Sequence, residues 1–254
     1  MARKQNGFTL VEIAIVLVII GLLLGGILKG QQLINSARVR NIADTNSGIQ
    51  AAYYGFLDRY RQVPGDMPAA AATTAIGLPV NNGGNGNGRV DQQDFGEASA
   101  MWEQLSQSDF IQGNYTGGAT DAPSYKVQPV APVNPFNGFY LLARTRDYSS
   151  YDGPNDTRVA PAATAPPLRL GLVLGDNIPV SIARELDVKI DDQVPLTGVL
   201  RYTGVNGEMQ SFKGVSESTS TVTECISPTV GGTTTVNAWN VASQAQNCNL
   251  VYLY

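Results

Sequence analysis

From Phe8 to Leu28 the chain runs almost without polar interruption, and Glu12 is the one charged residue in that stretch. A helix rises about 1.5 Å per residue and needs roughly 20 apolar residues to cross a hydrocarbon layer, so residues 8–28 are long enough to span it. The pattern then changes to a single face. Val39, Ile42, Ile49, Tyr53, Phe56 and Tyr60 recur at intervals of three, four or seven, which predicts that the helix continues through residues 29–63 with one apolar stripe. Pro64, in the run VPGD, ends it, because proline lacks a donor and biases the residue before it away from helix.

Residues 68–100 read as loop, an Ala/Thr-rich stretch followed by NNGGNGNGRVDQQDFGE, and Met101, Trp102, Leu105 and Phe110 then suggest a short helix. Beyond Tyr125 the texture turns to short β-type runs separated by Pro and Gly. FNGFYLLAR, LRLGLVL, GVLRYTG and NLVYLY are the strand candidates. Between them IPVSIARELDVKI places Ile182, Leu186 and Ile190 four apart, a helix with Pro179 suited to its first turn. Residues 128–135, 155–167 and 216–223 read as connections. The expected architecture is α+β: a long N-terminal helix, membrane-spanning in its first half, packed on a mainly antiparallel β head over residues 64–254.

Composition sharpens this picture by exclusion. The chain has 254 residues and a formal charge of −4, from 17 basic and 21 acidic residues; losing Arg3 and Lys4 with a short leader leaves 15 against 21, or −6. Arg38, Arg40, Arg59 and Arg61 are dispersed along the helix and form no stripe, so generic nucleic-acid binding is not expected. There is no histidine, which removes the serine and cysteine triads that depend on an imidazole base, and imidazole metal sites with them. Cys225 and Cys248 are too far apart for a CxxC redox motif, and two thiols are too few for a thiolate zinc site. A structural disulfide worth roughly 3 kcal/mol, formed in an oxidising compartment, is the expected use, with free thiols as the other reading.

Glu12 is the anomaly. A carboxylate inside a bilayer core costs about 2.5–3.5 kcal/mol on insertion scales and calls for a partner. Arg3 and Lys4 ahead of the apolar run hold that end in the cytoplasm, and no small-residue cleavage site follows the run, so the segment stays attached. The residues GFTLVE at 7–12, followed by IAIVLVIIGLLLGG, resemble the class III leader and N-terminal helix of type IV pilins and of type II secretion pseudopilins. The resemblance covers about the first thirty residues. It implies that a prepilin peptidase cuts after Gly7, that Phe8 becomes the methylated N-terminus, and that Glu12 assists assembly with other pilin-like subunits. It also implies residence in the inner membrane with the head in the periplasm, and later in an extracellular filament. Residues 1–7 are then the leader, 8–28 the filament-core helix, 29–63 its amphipathic continuation and 64–254 the head. Many major pilins carry proline where this chain has Lys29, which favours a minor pilin or a pseudopilin. The other function classes are an adhesive or ligand-binding tip subunit and a membrane-tethered binding module. An enzyme is not expected.

NGNGRVD with the following Trp102 and Leu105, and DVKIDDQVPLTGVLR at 187–201, are similar to segments of a group of long prepilin-like proteins. The second segment usually has glycine after its paired aspartates, where this chain has Gln193. The Gly/Asn stretch also has the texture of a calcium loop. With Gly88 as its turn glycine, Asn85, Asn87, Asp91 and Asp94 supply oxygens, although the first ligand position falls on Gly83 and the last lacks the usual glutamate. The competing reading is a plain Gly/Asn turn. It is not a phosphate loop, since no Gly-Lys-Ser/Thr follows. Asp191 and Asp192 are adjacent, so their side chains diverge where a two-carboxylate glycosidase needs groups facing across a cleft, and they read as a helix C-terminal turn.

Overall fold

The computed structural model describes residues 10–91, 93–145, 148, 167–202, 222–231 and 234–254. The chain divides into two compact units, residues 1–40 and 41–254. The described part of the first unit is helical and belongs to α1 (Leu10–Tyr60), a helix long and apolar enough to cross a membrane.

In the second unit α1 buries Ile42, Ile49, Tyr53 and Phe56 of the predicted stripe, with Ala52 beside them, and leaves Tyr60 half-buried. It stops at Tyr60, short of the expected 63, because Arg61 takes a left-handed φ of 57°. The Ala/Thr stretch expected as loop is a helix, α2 (Ala69–Ile76), closed by Gly77 at φ 82°. Alanine has the highest intrinsic helix propensity, which outweighs the two threonines. The next helix, α3 (Phe95–Gln107), begins earlier than its apolar residues suggest, since Asp94 caps it by accepting from the Glu97 amide at 3.0 Å. Phe110 lies beyond its end. Residues 97–106 of α3 are all buried. A single turn, α4 (Ala122–Tyr125), is fixed by a capping box between Asp121 and Ser124.

All four strand candidates form strands: β1 (Leu141–Thr145), β2 (Arg169–Val173), β3 (Leu200–Tyr202) and β6 (Leu250–Leu253). They make one antiparallel sheet in the order β1-β2-β6-β3, with Leu172 opposite Tyr252 and Leu200 opposite the same residue. Between β2 and β3 lies the expected helix, α5 (Val180–Ile190), with Pro179 as its N-cap. A hairpin of β4 (Ile226–Gly231) and β5 (Thr234–Trp239) follows the short α6 (Val222–Cys225); Pro228 in its first strand hid it from the pattern. The expected loops at 155–167 and 216–223 lie almost wholly outside the described residues.

Hydrogen bonds stitch these elements together. Trp102 Nε1 donates to Tyr125 Oη at 2.7 Å, and Tyr125 Oη donates to the Tyr140 carbonyl at 2.8 Å, joining α3 and α4 to the residue before β1. Tyr254, just past β6, donates to Asn46 Oδ1 on α1 at 3.0 Å.

Candidate functional site

Gly7 and Phe8 lie outside the described residues. Glu12 stands exposed near the start of the described helix, among side chains of a different character. Every large apolar residue of α1 from Leu10 to Ile34 is 46–91% exposed. At roughly 25 cal/mol per Å² of apolar area, such a surface is unfavourable in water and favourable in lipid or against other apolar helices. A carboxylate on it needs a cationic or hydrogen-bonding partner wherever that surface is buried.

The Gly/Asn loop is a second candidate, and the structure shows what its glycines do. Asp66, 2% exposed, accepts at Oδ1 from the amides of Gly86 (2.8 Å) and Asn87 (3.0 Å) and at Oδ2 from Gly88 (2.6 Å). Gly86 and Gly88 have φ of 76° and 88°, conformations that turn successive amides toward one carboxylate and that other residues adopt at a cost. The neighbouring acids of α3 hold the rest of the loop. Glu97 accepts from the amides of Asn85 (3.2 Å) and Asp91 (2.7 Å), and burial pushes its carboxyl above the usual range. Glu103 accepts from the amides of Asn81 and Asn82 at 2.8 and 3.0 Å and from both their side chains.

Of the four expected calcium ligands, three come together. Asp91 Oδ2 accepts from Asn87 Nδ2 at 2.6 Å and Asn85 Nδ2 at 3.3 Å, while Oδ1 pairs with Arg89 Nε at 2.5 Å. The Arg89 hydrogen bond is the main reason the Asp91 carboxyl is held below its usual range. Asp94 is occupied in capping α3.

A third group of acids lies at the end of α5, where carboxylate oxygens of Asp187, Asp191 and Asp192 lie within 4.8 Å of one another. Asp187 is fully buried, and its Oδ2 accepts from Trp239 Nε1 at 2.6 Å. Burial pushes the Asp187 carboxyl up to about 6; the Trp239 hydrogen bond opposes this, the Asp192 and Asp191 charges add to it, and the Gln193 amide opposes it weakly. Asp191 and Asp192 thus do more than end the helix. The spacing of four from Asp187 to Asp191, which places both on one face of a helix, was the available signal.

Trp239 lies in the segment closed by the Cys225–Cys248 disulfide, so the expected bridge is present, across a separation of 23 residues. Cys248 also pairs with Ile178 just ahead of α5, its amide donating to the Ile178 carbonyl at 2.8 Å.

A long exposed apolar helix, a carboxylate in its first described turns and an antiparallel sheet with a C-terminal disulfide are consistent with a pilin-like α+β fold. Residues 2–28 match the family model of the prokaryotic N-terminal methylation motif, the class III prepilin leader, which supports a type IV pilin-like protein processed at its N-terminus. The motif implies cleavage by prepilin peptidase and assembly with other pilin subunits, and proteins that carry it this way are structural rather than catalytic. No curated protein and no solved structure matches the chain.

Proposed function

We propose that the chain is a minor pilin or pseudopilin, a structural subunit of a type IV pilus-like or type II secretion filament. The observation that carries this reading is the coincidence of the methylation motif at residues 2–28 with a helix whose large apolar side chains stand exposed through Ile34. In this reading the helix first anchors the chain in the inner membrane, with the head on the periplasmic side. Prepilin peptidase cuts after Gly7 and Phe8 is methylated. Glu12 then pairs with the Phe8 ammonium of a neighbouring subunit as the helices bundle, since opposite charges attract strongly where water is excluded. Lys29, at a position where major pilins often have proline, supports a minor role. Catalysis has no place in it: the chain has no histidine base, and its buried acids hold the fold together.

The test is native expression with the subunit tagged. Intact mass is expected to show a chain that begins at methylated Phe8. Glu12→Ala is expected to be processed normally and to be depleted in sheared filaments by about ten-fold or more, as loss of a buried charge pair implies. Normal recovery of that variant in filaments would favour the membrane-tethered module. Calcium binding by Asn85, Asn87, Asp91 and Asp94 is a separate proposal, motivated by the convergence of the first three; its test is a melting shift with millimolar calcium that Asp91→Ala and Asp94→Ala together abolish.

A further inference from the structure

We propose that Asp187, Asp191 and Asp192 form a calcium site at the C-terminal end of α5. Two observations carry it independently. The first is spacing: oxygens bound to one calcium at about 2.3–2.6 Å sit no more than about 5 Å apart, and oxygens from all three side chains meet that limit, lying within 4.8 Å of one another. The second is an orphan. Asp187 is 0% exposed, and while its Oδ2 takes the Trp239 indole, its Oδ1 has no hydrogen-bond partner. A buried carboxylate oxygen left unsatisfied is costly, and this one is carried by a member of the cluster.

Among the described residues no salt bridge within 4 Å reaches these acids, although the Arg201 charge acts on Asp191 and Asp192 through space. Those present join Arg61 to Asp58 and Arg89 to Asp91. Arg201 donates from Nε to the Gly198 carbonyl at 2.8 Å and lays its guanidinium over Tyr148, 5.5 Å from the ring centre. The carboxylates are also held in place. Asp191 Oδ2 accepts from the Val199 and Leu200 amides, and Asp192 accepts from the Val194 amide at 2.9 Å and the Thr197 hydroxyl at 2.5 Å. A helix C-terminus adds its own negative pole.

Chemistry selects the ion. Three carboxylates are hard oxygen donors, and neither imidazole nor free thiol is at hand, since the chain has no histidine and its two cysteines are joined. Calcium accepts six to eight oxygens in irregular geometry, so three carboxylates with water on the exposed Asp192 side suffice; magnesium demands a near-ideal octahedron. The buried end of the site is tied through Trp239 to the disulfide-closed segment, so occupancy stabilises both.

The full chain in detergent, stripped with chelator, provides the test. Calorimetry is expected to find calcium bound, and Asp192→Asn, at an exposed position, to weaken that binding by about ten-fold or more, because affinity follows ligand charge. Asp91→Asn is expected to leave it within about two-fold, as independent sites behave. Terbium excited through tryptophan gives a second arm that does not depend on the Asp192 variant folding: emission is expected, displaced by calcium and largely lost in Trp239→Phe. Absence of calcium binding, undiminished affinity in Asp192→Asn, or binding lost in Asp91→Asn with terbium emission indifferent to Trp239 would each overturn the site. The first of these outcomes would leave a proton on Asp187 as the answer to its orphan oxygen.

Discussion

Gln193 takes a left-handed φ of 69° in the turn that follows the two aspartates. An L side chain there costs roughly 1–2 kcal/mol, whereas glycine is free of that penalty but loses more backbone entropy on folding. Gln193→Gly is therefore expected to stabilise the chain by about 0.5–1 kcal/mol, read as a rise in denaturation midpoint at unchanged slope. The legibility of single residues followed local rules. Glu12 stood out because it breaks an apolar run, and Cys225 and Cys248 because no other cysteine competes for them. Asp187 did not stand out, since nothing in the sequence announces that Trp239, 52 residues away, will donate to it.

Elements were legible where one period dominated. The α1 stripe and the strands β1, β2, β3 and β6 follow their apolar spacing, and α5 follows its interval of four. The Gly/Asn loop did not, because its order comes from acids outside it: Asp66 before it, Glu97 and Glu103 after it. Replacing one carboxylate oxygen by an amide tests this. Asp66→Asn turns a donor toward amides that need an acceptor, and is expected to cost about 1.5–3 kcal/mol. Limited proteolysis is the direct readout: cleavage between residues 81 and 91 should rise well before the rest of the chain is cut. Equal protease resistance in the variant and the parent would mean that the glycines, and not the carboxylate, set the loop. The hairpin β4–β5 escaped for a simpler reason, since Pro228 argues locally against a strand that pairing with β5 nevertheless forms.

At the scale of the whole molecule the disulfide joins the end of α6 to the residues ahead of β6, so it ties the hairpin to the main sheet. Replacing Cys225 and Cys248 together by alanine is expected to cost roughly 3 kcal/mol, measured by denaturant unfolding. Trp239 fluorescence should report a local loosening first, because the contacts of β5 with α5 must then keep the indole on Asp187 without the covalent tie. β6 has a further consequence for how the protein is made. It lies between β2 and β3, pairs with both, and is the last of the four strands in sequence order. A chain emerging from the ribosome, or entering the far side of a membrane N-terminus first, carries β2 with an open edge and β3 with no neighbour until residues 250–253 arrive. Unpaired edges are templates for other chains. A nonsense codon anywhere between β3 and β6 is thus expected to yield material that a quality-control protease removes or that aggregates, never a shorter working subunit.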